Sequence, residues 1–278
     1  MSQMEYQKIH IFVISLDRAP ERRRSIEQHL SSLDLTYEIV DAVDGKLLST
    51  EECDKLLAPG VSYAPGVIGC YLSHLSVYQK ILDREISLAL ILEDDARLNP
   101  RIVSSLRSGK LSSNFEYCLL DCDSADGKST IYYDLDSAEE LLPGISIYST
   151  NTPPVLLHAY LLTNDGARRR LECALPIKQP VDVYWHLPYI PVIKVCVRPK
   201  GASVSEYSRQ SFISNRHDKT PLRFKYLRKF SFALTVRDWL RLKPIKNMIA
   251  VYKLKKNGVL APNRRWRAMP SGRNILND

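Results

Sequence analysis

The sequence predicts an α/β domain followed by a basic, mainly helical extension. Short apolar runs alternate with helical segments along the first 210 residues, which is the pattern of a β-sheet covered by helices. Acidic residues directly follow several of these runs, and ligands of α/β proteins bind at the carboxyl ends of strands. Residues 211–278 instead mix apolar residues with many cations. We therefore expect a domain over residues 1–210 and an extension over residues 211–278.

Strands are expected where apolar and β-branched residues cluster in short runs, and helices where a cap or a proline precedes a longer segment. The predicted strands cover residues 9–16, 36–40, 88–92, 117–120, 155–162 and 192–197. The predicted helices cover residues 20–33, 50–57, 67–82, 100–106 and 164–175. Asp17 is the expected cap of the first helix, which Pro20 opens. Residues 127–154 are rich in turn formers, so we expect irregular structure there with short strands near 131–133 and 145–148.

The composition is that of a globular protein that remains in the cytosol. The chain has 278 residues, of which 45% are hydrophobic, and this is enough for one large domain with an appendage. No apolar stretch approaches the roughly 20 residues of a membrane span. Residues 9–16 are too short for a signal-peptide core. The six cysteines form no Cys-x-x-Cys pair and no zinc-type spacing, so we expect buried, reduced thiols.

Charge is distributed unevenly along the chain. Residues 198–278 carry 20 Lys and Arg against 4 Asp and Glu, whereas the first 197 residues carry 19 against 27. Between residues 222 and 256, apolar residues such as Phe224 and Leu227 recur at helical spacing with cations between them, which is typical of a helix on an anionic membrane. A helix that packs on the domain with a solvated basic face is the alternative. Nucleic acid is not an expected partner, because the aromatics are mixed with aliphatics rather than arranged for base stacking.

An acidic triplet, Glu93, Asp94 and Asp95, follows the apolar run at 88–92. Three carboxylates at the end of a buried strand are costly unless compensated, and a divalent cation with oxygen ligands is the simplest compensation. If strand geometry persists, Glu93 and Asp95 point to one side and Asp94 to the other. A solvated strand end with nothing bound is the alternative. The alternative functions are a metal-dependent phosphatase or nuclease, and a non-catalytic module that binds polyanions through the basic tail.

A second cluster lies where the first strand meets the first helix. It consists of Ser15, Leu16, Asp17 and Arg18, with Arg22 four residues further on. The amino end of a helix favours anions, and an arginine can make a forked contact with phosphate. A helix cap with a solvated basic face is the alternative.

Two further clusters carry a histidine and a carboxylate. Gly66 and Gly69 let the backbone approach a ligand or a neighbouring element, and His74 follows on the same helix. A core or capping role is the alternative for this histidine. Asp182 follows Pro180 and precedes aromatic residues, and such a carboxylate can bind a sugar or act as a general base. The cap of a short helix is the alternative for Asp182.

In this order, the motifs resemble glycosyltransferase family 25, the family of bacterial lipooligosaccharide galactosyltransferases with collagen galactosyltransferases as distant relatives. The resemblance runs from Ile11 to about Val197. It comprises residues 15–18 with Arg22, residues 41–45, 66–74 and 92–95, Ala159 and Tyr160 with Thr163 and residues 166–167, and residues 180–182.

The resemblance implies a GT-A fold, which is a Rossmann-like nucleotide-sugar-binding domain. It also implies a metal-dependent transfer of a hexose with inversion at the anomeric carbon. The implied donor is most often UDP-galactose. Glu93 and Asp95 would hold Mn²⁺ or Mg²⁺, with His186 as a candidate third ligand. Asp182 would be the base, with Asp121 and Asp123 as rivals. The implied donor-binding residues are Ser15, Leu16, Asp17, Arg18, Arg22, Asp44, Gly69, His74 and Asp94. The expected acceptor is a hydroxyl of a lipooligosaccharide- or lipopolysaccharide-type glycan on a lipid, at the cytosolic face of the inner membrane.

Overall fold

A computed structural model describes residues 9–108, 114–123, 130–142, 144–184, 187–198, 200–209, 255 and 263–269. Its strands are β1 (His10–Ser15), β2 (Glu38–Asp41), β3 (Leu88–Glu93), β4 (Ala96–Leu98), β5 (Tyr117–Leu119), β6 (Tyr132–Asp134), β7 (Glu139–Leu142), β8 (Ile145–Tyr148), β9 (Ala159–Thr163), β10 (Ile193–Arg198), β11 (Ala202–Val204) and β12 (Trp266–Ala268). The α-helices are α1 (Pro20–Ser32), α2 (Thr50–Leu56), α3 (Pro65–Asp83), α4 (Pro100–Ser108) and α5 (Asn164–Glu172). Among these described helices, none has the length and apolar character needed to cross a bilayer.

Eight strands form one mixed sheet in the order β2-β1-β3-β9-β5-β10-β8-β7. Strand β1 is parallel to both β2 and β3, and β5 is parallel to β10. Strand β9 lies antiparallel between β3 and β5. The carboxyl ends of β1, β3 and β5 therefore meet the amino end of β9 at one edge of the sheet. We call it the ligand edge, because ligands of α/β sheets bind at the carboxyl ends of strands.

The sheet is buried on both faces, because apolar side chains pack against each of them. Alternate residues of β1 pack into two different cores, Phe12 and Ile14 into one and Ile11 and Val13 into the other. Apolar residues of α3 and α5 cover the first face, and those of α1 and α4 cover the second. The six cysteines are unpaired; Cys53, Cys118 and Cys196 are buried as predicted, whereas Cys70, Cys122 and Cys173 are half-buried.

The predicted α/β fold is confirmed, and the main differences concern short elements. Strand β9 begins at Ala159 rather than at residue 155, and β4, β7, β11 and β12 have no counterpart in the prediction. Asp17 does not cap α1: the chain turns between Leu16 and Ala19, where the backbone N–H of Ala19 donates to the carbonyl of Leu16 at 3.0 Å, and Ala19 becomes the N-cap.

Most of the predicted extension lies outside the described residues, as does the predicted helix within it. Its described strand, β12, pairs antiparallel with β6 and so returns to the domain. The division at residue 210 stays a prediction.

Candidate active site

A cavity of about 340 Å³ opens at the ligand edge, close to the carboxyl ends of β3 and β5. Four carboxylates from distant parts of the sequence line it together. Its polar lining consists of Cys70, Glu93, Asp95, Asp121, His158, Asp182 and Ser208. The apolar lining comes from Val67, Leu156, Leu157, Pro180, Val181 and Val204. An apolar wall beside a few convergent polar groups is typical of small-molecule sites.

Glu93 ends β3 and is held by a buried histidine of α3. His74 is 1% exposed, its Nε2 lies 3.3 Å from Glu93 Oε1, and its Nδ1 lies 2.8 Å from the Tyr160 hydroxyl. Burial raises the pKa of Glu93, but the contact with His74 and nearby positive charges outweigh it, so the pKa lies below its ordinary value. The carboxylate is therefore charged and fixed in orientation.

Asp94 is not among the cavity-lining residues of the described chain, and it lies with Asp95 in the turn after β3 rather than in the strand. Ser15 donates to its Oδ2 at 3.0 Å, and Nε of Arg22 donates to its Oδ1 at 2.7 Å. Arg22 Nη2 also lies 2.5 Å from Asp94 Oδ1 and 3.2 Å from Asp95 Oδ2. The buried guanidinium thus contacts two carboxylates of the acidic triplet, although its single positive charge does not neutralise both. Donor binding by Arg22, Ser15 and Asp94 stays a prediction.

Asp95 has the environment of a cation ligand. It is 8% exposed, and its Oδ1 has no hydrogen-bond partner among the described residues. Burial first, and then the charge of Glu93, raise the pKa of Asp95 to about 6. A divalent cation would relieve both the unpaired oxygen and the repulsion, and hard cations take carboxylate oxygens. Glu93 and Asp95 therefore fit Mn²⁺ or Mg²⁺.

Asp121, just beyond β5, faces the cavity but is engaged by two basic groups. Lys200 Nζ lies 2.5 Å from its Oδ1, and His158 Nε2 lies 3.5 Å from its Oδ2. Burial raises the pKa of Asp121, yet these contacts dominate and hold it below its ordinary value. Asp123 is not among the cavity-lining residues of the described chain, and its backbone pairs with Val155.

Asp182 lies in the loop after α5, on the cavity wall formed by residues 180–182. The backbone N–H of Leu156 donates to its Oδ2 at 3.4 Å. Burial raises the pKa of Asp182 above its ordinary value. The alternative of a helix cap is wrong, because residues 181–184 are not helical. His186 lies outside the described residues.

Three more of the predicted donor residues meet at the turn after β2, namely Arg18, Asp44 and Gly69. Arg18 pairs with Asp44, which also caps the short helix Gly45–Leu47. A Cβ on Gly69 would lie 2.5 Å from the carbonyl oxygen of Val43, so this glycine allows α3 to pack on that turn. The side chain of Asp17 is 94% exposed. Among the described residues, none of these four lines the cavity, and their donor-binding roles, like that of Leu16, stay predictions.

Comparisons with known proteins show the family of this chain. A family model described as glycosyltransferase family 25 (LPS biosynthesis protein) matches residues 8–185. The chain belongs to glycosyltransferase family 25. The human protein named inactive glycosyltransferase 25 family member 3 is 30% identical over 197 residues, covering 64% of this chain and 31% of the relative. Human procollagen galactosyltransferase 2 is 37% identical over 121 residues, covering 40% of this chain and 19% of the relative.

The chain spans about a third or less of the length of these family 25 relatives. A crystal structure described as a glycosyltransferase involved in the glycosylation of the major capsid of PBCV-1 matches at 11% identity and a TM-score of 0.33, covering 66% of this chain and 81% of that one. This similarity is too weak to place residues.

Sequence reasoning missed two cavity residues that lie within the family 25 match, Cys70 and His158. His158 precedes a strand rather than following one, and it reaches the ligand edge only because β9 runs antiparallel to its neighbours. Cys70 lies one helical turn before His74, and this spacing was the available signal. Lys200, which engages Asp121, was also missed.

Proposed function

We propose that this family 25 protein is a metal-dependent, inverting hexosyltransferase. It moves galactose from UDP-galactose onto a hydroxyl of a lipooligosaccharide- or lipopolysaccharide-type glycan. The observation that carries the proposal is the convergence of Glu93, Asp95 and Asp182 on one cavity at the ligand edge, inside the family match. The similarity to a procollagen galactosyltransferase supports galactose as the hexose.

Glu93 and Asp95 form the donor side of this proposed site. When bound there, Mn²⁺ or Mg²⁺ neutralises charge on the leaving diphosphate. Glu93 is oriented by His74. Asp95 is held by Arg22 on one oxygen, and its other oxygen has no hydrogen-bond partner in the described part of the chain. The two carboxylates are thus pre-positioned, and the donor can be held in one orientation without rearrangement of the protein.

Asp182 forms the acceptor side and acts as the general base. Its raised pKa brings it closer to neutral pH, which favours proton removal from a sugar hydroxyl. Asp121 is a poorer base, because Lys200 and His158 stabilise its charged form. Asp182 takes the proton of the acceptor hydroxyl while that oxygen attacks the anomeric carbon opposite to the departing UDP.

The test is a panel of UDP-sugars incubated with defined glycan acceptors and Mn²⁺. The proposal predicts UDP release that depends on acceptor, is greatest with UDP-galactose, and is abolished by a chelator. Phosphate-ester hydrolysis without a glycan product would indicate a phosphatase or nuclease instead. Absence of turnover with every donor, despite metal-dependent UDP binding, would indicate a non-catalytic family member like the human relative named inactive.

We also propose that the enzyme is cytoplasmic and peripheral on the inner membrane, with the basic tail near its lipid-linked acceptor. This proposal rests on the charge of residues 198–278, most of which lie outside the described structure. Cationic segments bind anionic bilayers by about 1 kcal/mol per basic residue near the surface. Full-length protein should therefore sediment with anionic vesicles more than a variant truncated after residue 210. Equal recovery of both proteins contradicts the proposal.

A further inference from the structure

Three side chains of mixed chemistry meet beside the proposed donor-metal carboxylates. Cys70 and His74 lie one turn apart on α3, and Glu93 ends the neighbouring strand β3. The thiol sulfur, an imidazole nitrogen and a carboxylate oxygen all lie within 4.8 Å of one another. Cys70 and Glu93 also line the cavity, so a small ion can reach them.

The hydrogen bonds of His74 present one ring nitrogen to this group. Nδ1 of His74 lies 2.8 Å from the Tyr160 hydroxyl, which donates to Tyr78 at 3.0 Å. In the tautomer that carries its proton on Nδ1, this nitrogen donates to the Tyr160 oxygen. Nε2 then faces Glu93 Oε1 at 3.3 Å. In that tautomer both atoms are acceptors, and a metal ion between them would join the two. Metal-bound histidines commonly have such a partner on the second nitrogen, which fixes the ring.

The spacing of the three atoms suits a tetrahedral ion. With bond lengths of about 2.0–2.3 Å, tetrahedral ligand atoms lie about 3.3–3.6 Å apart. The distance of 3.3 Å between His74 Nε2 and Glu93 Oε1 already matches. No two of the three ligand atoms are more than 4.8 Å apart, so the longest of their separations would have to shorten by at most about 1.3 Å. A water molecule in the cavity can complete the four ligands, as in zinc sites with three protein ligands.

The ligand types distinguish this group from the pair Glu93 and Asp95. Thiolate and imidazole select thiophilic ions such as Zn²⁺, whereas carboxylate pairs suit Mg²⁺ and Mn²⁺. Asp95 adds a buried carboxylate to the same cavity, and one of its oxygens has no hydrogen-bond partner among the described residues, so the surroundings favour a cation.

We propose that Cys70, His74 and Glu93 form a binding site for a thiophilic divalent cation, represented by Zn²⁺. Binding replaces the thiol proton of Cys70 and any proton on Nε2 of His74, and these are released to solvent. Because Glu93 belongs to both ligand sets, Zn²⁺ and Mn²⁺ compete; this consequence, unlike the binding itself, rests on the proposed function.

The first test is titration of the full-length, metal-free protein with Co²⁺, a spectroscopic substitute for Zn²⁺. We expect a thiolate-to-cobalt charge-transfer absorption that equimolar Zn²⁺ removes. Removal of a residue that only hydrogen-bonds to a metal ligand typically lowers metal affinity about 10- to 100-fold. Cys70→Ser removes a ligand itself, so it should weaken Co²⁺ binding about 100-fold or more. Cys173→Ser, another half-buried cysteine, should leave the absorption unchanged. A spectrum without thiolate absorption overturns the proposal, as does one that Cys70→Ser leaves unaltered.

A second measurement needs no variant and so does not depend on the folding of Cys70→Ser. The rate of alkylation of Cys70 is followed by mass spectrometry, with and without Zn²⁺ at ten times its apparent Kd. Zn²⁺ should slow this alkylation about elevenfold, because only about one site in eleven is then empty. Alkylation of Cys173 should not change. Equal rates at Cys70 with and without Zn²⁺ contradict the proposal. Neither readout requires transferase activity, so failure of the proposed function leaves the test intact.

Discussion

The replacement Arg22→Met removes the guanidinium that lies behind the acidic triplet. Arg22 contacts Asp94 at 2.5 and 2.7 Å and Asp95 at 3.2 Å, and all three residues are buried. Loss of one partner of a buried ion pair costs about 3–5 kcal/mol, since the other charge stays buried and unpaired. Domains are stable by only about 5–15 kcal/mol, so this loss is a large share of the total. Urea unfolding of the metal-free protein should show a lower midpoint at an unchanged m-value.

Two variants of the same helix sharpen this prediction. Arg24 is exposed on α1, so Arg24→Met should change the free energy of unfolding by no more than about 0.5 kcal/mol. Arg22→Lys keeps a positive charge but not the forked contact, so its loss in free energy of unfolding should lie between those of Arg22→Met and Arg24→Met. The reasoning is refuted if Arg22→Met costs less than about 1 kcal/mol and raises only the KM for the donor. That result would place Arg22 at the donor phosphates instead.

Three further predictions concern pH, packing and catalysis. Leu98 N–H donates to His29 Nε2 at 2.9 Å, and burial, followed by a neighbouring arginine charge, lowers the pKa of His29 to about 4. The stability that neutral His29 contributes is therefore fully present above pH 6.5 and is lost as the pH falls toward 4. The variant His29→Gln should have a Tm that changes less with pH over this range. Equal slopes of Tm against pH in the variant and the unmodified protein would contradict this. Gly69→Ala should destabilise by about 1–3 kcal/mol because its Cβ meets backbone, whereas the exposed Gln79→Ala should cost under about 0.5 kcal/mol in the same urea assay. Asp182→Asn should slow transfer about 100- to 10,000-fold at unchanged donor affinity, and a loss of donor affinity alone would contradict its role as base.

The sequence was sufficient to predict local features of the site. Apolar runs located β1 and β3, because the strand period follows from backbone geometry. The alternation expected for Glu93, Asp94 and Asp95 does not apply, because β3 ends at Glu93 and the two aspartates lie in a turn. The region of Asp182 was recognised from its neighbours, and the structure brings it to the same cavity as Glu93.

Features that depend on distant partners could not be predicted from sequence. Arg22 lies 72 residues before Asp94, and nothing local distinguishes an arginine that binds a ligand from one that binds a buried carboxylate. The contribution of His158 depends on the antiparallel direction of β9, which the hydrophobic pattern of that strand does not reveal. For Gly69 the sequence left open a close approach to a ligand or to a neighbouring element, and the structure shows a neighbouring element, the backbone near Val43.

Calorimetric titration of UDP into the protein, with and without Mn²⁺, tests the central claim most directly. The account predicts UDP binding that requires Mn²⁺ and is lost in Asp95→Asn, because this variant removes a charged oxygen ligand from the cavity. The exposed Asp54→Asn should bind as the unmodified protein does. Unchanged Mn²⁺-dependent affinity in Asp95→Asn would contradict the assignment of Glu93 and Asp95 as the donor-metal site.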